Sequence, residues 1–420
     1  MRPSLSLAAC VVSALAFTFS ACSGAKGEAG FGPDGKVDSG TAAVGDGGPG
    51  NPNSPGGGHD GGFGPVGDGS VMTCVPDPAN FDIPGNNCDD DGDGKVDNVT
   101  VCDTGLALAG PAGDFAKSIG LCQTTAAADA KWGVVSATYT NGHAPQGGTL
   151  NDAQHGLLPQ FGNLVKPREG KMFGVLSSGY GREFDGDPAS VTQCAPNGLD
   201  NPGCFKTGVA MQGPGAVKGG APNGFPKAAM GCPNSNSVHD VVDVKLQIKV
   251  PKNAQGLQFD FDFWSGEWPE YVCTDYNDSF IAYLTSKAFN GGAPDNISFD
   301  SKKNPVSVNN GFFENCTAAT TTGCNGSTIG TSTCPRGTGE LLGTGFFASG
   351  TWCPQDPNPS SGGGSTGWLT TQAPVGAGEV ISLEYIIWDT GDSNYDSSII
   401  LDNFQWVPGP VQAGTQRPPQ

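Results

Sequence analysis

The sequence predicts an all-β protein, an antiparallel β-sandwich of jelly-roll type with long disulfide-linked loops and one or two short helices. Glycine and proline supply 67 and 33 of the 420 residues, about twice their usual share, which disfavours long helices. Several segments alternate apolar and polar residues with the period of a strand. Hydrophobic residues make up 36% of the chain, which is enough to fill a core between two sheets.

Five segments are predicted as strands. Val242–Val250 and Leu257–Phe263 alternate strictly, so one face of each is expected in the core and the other in water. In the second segment the core face carries Phe259, Phe261 and Phe263, and the solvent face carries Asp260 and Asp262. Three further segments are richer in isoleucine and aromatic residues and are expected to be buried on both sides: Ser279–Thr285, Val380–Trp388 and Ser398–Val407.

The remaining elements are short or irregular. A helix is predicted over Asp114–Cys122, with Asp114 as its N-cap and Phe115 and Ile119 at helical spacing. Residues 186–237 and 316–366 are dense in glycine, proline, asparagine and cysteine, so they are predicted to be long surface loops.

The N-terminus predicts export and a lipid anchor. Residues 1–21 combine Arg2 with a short apolar stretch, as a secretory signal peptide does, and Phe19-Ser20-Ala21-Cys22 resembles a bacterial lipobox. We therefore expect lipidation of Cys22, membrane attachment through that lipid, and surface exposure on the outer membrane, which Ser23 favours over inner-membrane retention. Ordinary secretion, with Cys22 in a disulfide, is the alternative.

Composition divides the exported chain into regions. Residues 22–72 are rich in glycine and proline and predict a flexible tether with a reach of about 40 Å. A Cys-flanked acidic loop is expected at 73–102, the sandwich at 103–407 and a disordered tail at 408–420.

Charge excludes one class of partner and favours another. Lys and Arg total 21 against 41 Asp and Glu, for a net charge of −20. Such a surface repels nucleic-acid phosphates, whereas it suits calcium, which prefers carboxylate oxygens.

Cysteine usage predicts disulfides. Of the 14 cysteines, Cys10 belongs to the signal and Cys22 to the anchor, which leaves up to six bridges. Spacing does not fix the connectivity, but the closest pairs are Cys194/Cys204, Cys316/Cys324 and Cys334/Cys353. Zinc is disfavoured because the chain has no C-x-x-C pair and its four histidines are scattered.

The run from Asp89 to Asn98 predicts a structural calcium site. Carboxylates stand at relative positions 1, 3, 5 and 9, with Gly94 at position 6 to permit the turn. Position 12 is Thr100, so the bidentate acid of an EF-hand is missing, and the run looks like non-EF extracellular calcium loops such as thrombospondin type 3 repeats. A solvated acidic turn without a cation is the alternative. The expected ligands are Asp89, Asp91, Asp93 and Asp97.

The most distinctive segment is Trp264–Phe280, with the sequence W-S-G-E-W-P-E-Y-V-C-T-D-Y-N-D-S-F. It resembles the block S-E-E-Y-P-E-Y-V…F-N-D-x-F of the choice-of-anchor L domain of bacterial surface proteins, with departures at Gly266, Trp268 and Tyr276. Gly367–Thr371 and the stretches Ile386–Asp389 and Ser398–Phe404 agree with the same family, so the resemblance covers residues 103–407. It implies a surface location and a fold, and no chemistry.

Acidic and aromatic residues in this block suggest two kinds of site. By similarity to other jelly-roll modules, a second calcium site is expected from Glu267, Glu270, Asp278 and Asp402; turn capping and solvated surface acids are the alternatives. The aromatic rings that are candidates for stacking on sugars are Trp264, Trp268, Tyr271 and Tyr276, although core packing is the commoner use of such rings.

Together these observations predict a lipid-anchored cell-surface protein that is not an enzyme, stabilised by calcium and binding glycans or matrix polymers. One alternative is an extracellular polysaccharide hydrolase with Glu267 and Glu270 as its acid and base. Another is a structural envelope protein without a specific ligand.

Overall fold

The computed structural model describes residues 74–143, 150–182, 219–229, 231–309, 312–318, 321–326, 330–347, 352–354 and 362–418. The predicted signal peptide, Cys22, the tether and the Cys194/Cys204 pair lie outside these residues. The all-β prediction is confirmed: within the described ranges, two antiparallel sheets form a sandwich, with one α-helix beside them. No helix within the described ranges is long and apolar enough to cross a membrane.

Sheet I has the strand order β1-β4-β13-β6-β7, and β8 also pairs with β6. Its strands are β1 (Gly133–Thr140), β4 (Val238–Lys249), β6 (Ser279–Thr285), β7 (Asp295–Asn296), β8 (Val306–Ser307) and β13 (Val380–Thr390).

Sheet II has the order β15-β12-β5-β14-β3-β2, and β11 also pairs with β5. Its strands are β2 (His155–Leu158), β3 (Phe173–Ser177), β5 (Gly256–Ser265), β11 (Gly364–Ser365), β12 (Leu369–Pro374), β14 (Ser397–Val407) and β15 (Gly414–Gln416). A separate two-stranded ladder joins β9 (Thr321–Thr322) to β10 (Gly330–Thr331).

The face of β5 that points into the core between the sheets is the one that its alternating sequence predicts. Phe259, Phe261 and Phe263 all point inward and are buried. Phe259 packs against Tyr385 of β13 at 4.9 Å between ring centroids, and Phe261 packs against Phe280 of β6 at 5.1 Å. These edge-to-face and tilted pairs fill the space between the two sheets.

The expectation that Asp260 and Asp262 face water is wrong, since both are buried. The outer face of sheet II is covered by a second apolar cluster, which includes Phe161, Trp264 and Phe346 from distant parts of the chain. Sheet I is covered in the same way, and Asp243 on the polar face of β4 is buried as well. Alternation therefore located the strands correctly but did not reveal that loops cover the outer faces.

The predicted helix is present, but it starts earlier than expected. Helix α1 spans Ala112–Ser118 and follows Pro111, so Asp114 lies in the first turn and is not the N-cap. Asp114 instead pairs with Lys117 at 2.8 Å between carboxylate oxygen and ammonium nitrogen.

The disulfides correct two of the suggested pairs. Cys316 bonds to Cys334 and Cys324 bonds to Cys353, so the bridges interleave and each cysteine skips its nearest neighbour in sequence. The β9–β10 ladder lies between Cys316 and Cys334 in the chain and brings these two cysteines together. The other bridges in the described residues are Cys74–Cys88, Cys102–Cys122 and Cys232–Cys273.

The expected tail at 408–420 is partly ordered. Its residues Gly414–Gln416 form β15, which pairs with β12 at the edge of sheet II. Arg417 then forms an ion pair with Glu314 at 2.7 Å. Backbone pairing and this ion pair fix a segment that composition alone marked as disordered.

Candidate functional site

The first predicted calcium loop contains a compact acidic group, but its membership differs from the prediction. Asp82, Asp89 and Asp91 are the described residues whose carboxylate oxygens all lie within 4.8 Å of one another, the spacing required of ligands to one metal ion. Asp82 precedes the acidic run and was missed. It is placed by accepting backbone hydrogen bonds from Asp90 at 2.8 Å and from Asp91 at 3.2 Å.

Asp93 and Asp97 do not join this group. Asp97 accepts the backbone N–H groups of Asn86 and Asn87, at 3.2 and 3.1 Å, and so closes the loop on itself. Asp93 accepts the Lys95 N–H at 2.8 Å and lies on the exposed tip. Both carboxylates are used as acceptors for the loop backbone, which the spacing of the acids did not indicate.

The charges within this group repel one another. Burial raises the pKa of Asp91, and the neighbouring carboxylates of Asp82, Asp93 and Asp89 raise it further. Oxygen Oδ1 of Asp89 is buried and has no hydrogen-bond donor among the described residues. A divalent cation would offset both effects, because it supplies positive charge where three oxygens already converge.

The second predicted calcium set is divided by the fold. Glu267 and Asp278 lie close together, and each is buried. Glu270 is partly exposed on the surface, where burial raises its pKa. Asp402 lies elsewhere in sheet II, opposite Asp260 of β5, and accepts the backbone N–H of Arg168 at 2.6 Å.

Three acids that the sequence reasoning missed lie beside Glu267 and Asp278. Asp389 stands near the end of β13, and Asp392 and Asp396 lie in the loop from β13 to β14. The register Trp388↔Ser279 between β13 and β6 brings Asp389 beside Asp278. The hydrogen bond from Gly266 N–H to the Asp396 carbonyl, at 3.0 Å, brings the loop beside Glu267. We call these five residues the carboxylate cluster: Glu267, Asp278, Asp389, Asp392 and Asp396.

The cluster is strongly perturbed electrostatically. Burial is the largest cause and raises the pKa of Glu267 and Asp389 well above the usual range, and that of Asp278 to about 7. The charged neighbours that act on Asp389 are all carboxylates of the cluster, and each raises its pKa further. Hydrogen bonds from Ser397 Oγ at 2.6 Å and Thr390 N–H at 3.0 Å favour the charged form of Asp278 but do not overcome its burial.

The four predicted aromatic residues separate into two kinds. Trp264 is fully buried in the outer cluster of sheet II, and Trp268 is buried and stacks on Phe313 at 4.4 Å. Neither ring is available to a ligand. Tyr271 and Tyr276 are partly exposed and pack edge to face at 5.5 Å.

A third ring completes this exposed group. Tyr395, in the same β13–β14 loop as Asp392 and Asp396, is partly exposed and lies 5.7 Å from Tyr271. We call Tyr271, Tyr276 and Tyr395 the tyrosine patch. Burial raises the pKa of Tyr271 to about 12, so its phenol stays neutral at physiological pH. The patch therefore presents three partly exposed phenol side chains at one surface.

Comparison with known proteins gave one match. Residues 227–405 match the model of the Choice-of-anchor L domain, whereas no curated protein and no solved structure matches the chain. The matched range is narrower than the expected 103–407. Strands β1, β2 and β3 precede it, although β1 pairs with β4 and β3 pairs with β14 inside it. Such a domain indicates a surface-associated module located at the cell surface or in the envelope. Residues 227–405 of this chain are thus similar in sequence to the Choice-of-anchor L domain.

Proposed function

We propose that this protein is a lipid-anchored, non-enzymatic binding module of the outer cell surface that contacts glycans or matrix polymers through the tyrosine patch. The main support for this proposal is the tyrosine patch. It lies on the loops that follow β5 and β13, and the matched domain is already a surface-associated type. The lipid on Cys22 would supply attachment, and the Gly-rich tether would hold the sandwich away from the membrane.

Calcium bound by Asp82, Asp89 and Asp91 would stabilise the N-terminal loop of this module. The disulfide Cys74–Cys88 already closes one side of that loop. Asp82 connects to the acidic run by accepting the backbone N–H of Asp90. A cation there would order residues close to the point where the tether joins the folded part. This role is structural and lies outside the proposed ligand surface.

The hydrolase alternative is less well supported by the geometry. A glycosidase requires two carboxyl groups that both reach the substrate. Glu267 is only 1% exposed, and Glu270 is partly exposed on the surface beside it. A sugar at the tyrosine patch would therefore reach Glu270 but not Glu267. The structural-protein alternative predicts no saturable ligand at all.

The test is binding of the full chain to immobilised cell-surface polysaccharides and to whole cells. We expect saturable binding that falls at least tenfold in the double variant Tyr271→Ala/Tyr395→Ala, because two stacking surfaces are lost. Leu164→Ala removes an exposed apolar side chain outside the patch and serves as the control. Equal binding by the double variant would overturn the assignment of the patch. Release of soluble sugars that is lost in Glu270→Gln would favour the hydrolase.

A further inference from the structure

We propose that the carboxylate cluster is a buried divalent-cation site, suited to calcium, with Glu267, Asp278 and Asp389 as its inner ligands. Asp392 and Asp396 would supply further oxygens from the β13–β14 loop. This inference concerns a metal site different from the N-terminal loop and does not rest on glycan binding.

The position of the cluster in the fold is the first argument. Glu267 comes two residues after β5, Asp278 directly precedes β6, and Asp389 belongs to β13. The cluster therefore joins the ends of strands from both sheets. Asp278 fixes this junction, because it accepts hydrogen bonds from Thr390 of β13 and Ser397 of β14. Ligands from several chain segments around one point are the usual construction of a structural calcium site.

Unsatisfied buried oxygens are the second argument. Asp389 is 0% exposed, and among the described residues neither of its carboxylate oxygens has a donor other than the neighbouring Asp278 carboxyl, which can donate only when protonated. Oxygen Oε2 of Glu267, in a side chain that is 1% exposed, has no donor in the described part of the chain. Buried polar atoms without partners cost free energy, so a native structure normally provides a partner for them.

The sign of the local charge is the third argument. Within the described ranges, Glu267, Asp278 and Asp389 form no ion pair with Lys, Arg or His, although other buried acids of the chain do, such as Asp260 with Arg168. A proton shared between Asp278 and Asp389 neutralises one charge of the group. A divalent cation neutralises two and also provides a partner for the unsatisfied oxygens. The donors are all oxygens, which favours calcium over zinc.

The carboxylate oxygens of the cluster are spaced more widely than ligands of a bound cation, so cation binding would change their positions. No three carboxylates of the cluster have oxygens that all lie within 4.8 Å of one another, unlike those of Asp82, Asp89 and Asp91. Uncompensated carboxylates repel one another, so a wider spacing is expected without a cation. Calcium at 2.3–2.6 Å from each oxygen would draw them together. Tyr395 shares a loop with Asp392 and Asp396, so this contraction would also order the tyrosine patch.

The test is the calcium stoichiometry of the full chain at pH 7.5, measured by equilibrium dialysis after chelator treatment. We expect Asp389→Asn to bind one calcium fewer per chain than the wild type. In the Asp82→Asn background, which impairs the N-terminal loop, one calcium should remain and should be lost on adding Asp389→Asn. Asp402→Asn is the matched control, because Asp402 is also a buried carboxylate with a raised pKa but lies outside the cluster.

Two outcomes would overturn the proposal: a wild-type chain that binds no calcium, or a folded Asp389→Asn variant with the wild-type stoichiometry. If Asp389→Asn does not fold, Glu267→Gln tests the same site. A calcium-dependent increase in the melting temperature in the Asp82→Asn background, absent from its Glu267→Gln derivative, supports the site. An equal increase in both proteins contradicts it.

Discussion

Asp260 and Asp402 lie directly opposite each other on the paired strands β5 and β14, and both carboxylates are buried. One segment of chain stabilises the pair. The Arg168 side chain forms an ion pair with Asp260 at 2.8 Å, while the backbone N–H groups of Arg168 and Glu169 donate to Asp402. Asn403 also donates to Asp260, at 2.8 Å. Like charges placed opposite each other in a sheet are normally destabilising, so these donors are needed at this position.

Asp402 should make stability fall as the pH rises from about 4 to about 7. Burial raises its pKa from 3.8 to about 7 in the folded protein, so the folded state binds this proton more tightly than the unfolded state. Its contribution is therefore full below pH 4 and is lost as the pH passes 7. We expect Asp402→Asn to have a shallower slope, by up to about 1.4 kcal/mol per pH unit. Urea unfolding in chelator at several pH values measures this, and identical slopes for the two proteins would contradict it.

Removal of the Arg168 side chain should destabilise the fold by about 2 kcal/mol. The Arg168→Ala change leaves the Asp260 carboxylate buried without its ion pair, which costs several kcal/mol at fully buried sites. The expected value is smaller because the Arg168 side chain is 34% exposed. Adding Asp260→Asn should restore part of the loss, since it removes the unpaired charge. Denaturant unfolding of the single and double variants measures the coupling, and strictly additive effects would show that the pair is not coupled.

Calcium affinity at the N-terminal loop should depend more on Asp82 than on Asp93. Asp82 belongs to the converging group, whereas Asp93 lies at the exposed tip and accepts the Lys95 backbone N–H and the Asn98 side-chain amide. We expect Asp82→Asn to weaken calcium binding at this loop at least tenfold and Asp93→Asn to weaken it only slightly. Calorimetric titration in the Asp389→Asn background isolates the loop. A larger effect for Asp93→Asn would favour the ligand set expected from sequence spacing.

Tyr385→Phe should raise the free energy of unfolding by about 1 kcal/mol. The Tyr385 ring fills the core against Phe259, but its hydroxyl is buried and has no hydrogen-bond partner in the described residues. Phenylalanine keeps the ring and removes the unsatisfied group, which is neutral or favourable when no bond is lost. Chemical unfolding at constant pH tests this, with Phe259→Leu as a core variant that should be destabilising. A loss of stability in Tyr385→Phe would show that the hydroxyl has a partner.

The sequence predicted the five long strands because their alternation and apolar runs reflect local backbone geometry. It did not predict β1, β2 and β3. Strands β2 and β3 are only four and five residues long, too short for a clear period, and all three are fixed by pairing: β1 with β4, β3 with β14, and β2 with β3. It also placed Asp260 and Asp262 in water, because the loops that cover them come from distant positions. Whether the outer face of a sheet is buried depends on tertiary contacts, so it cannot be predicted from the alternation of apolar and polar residues.

The candidate cation cluster was likewise only partly predictable, because some of its residues are close in sequence and others are brought in by the fold. Glu267 and Asp278 lie close together, as expected from the short segment that contains both. Asp389 stands more than 100 residues further along the chain and joins them only through the pairing of β13 with β6. Asp402 is separated from these residues by the fold. The start of β14 faces the cluster, whereas Asp402 lies five residues past Ser397, about 17 Å along the strand.

The pairing of β1 with β4 and of β3 with β14 affects how the domain can be isolated. A fragment limited to residues 227–405 would leave one edge of β4 and one edge of β14 without a partner strand, and so expose unpaired backbone N–H and C=O groups. Exposed strand edges of this kind recruit other chains and promote aggregation. The smallest soluble unit should therefore begin well before the matched segment and include β1, β2 and β3.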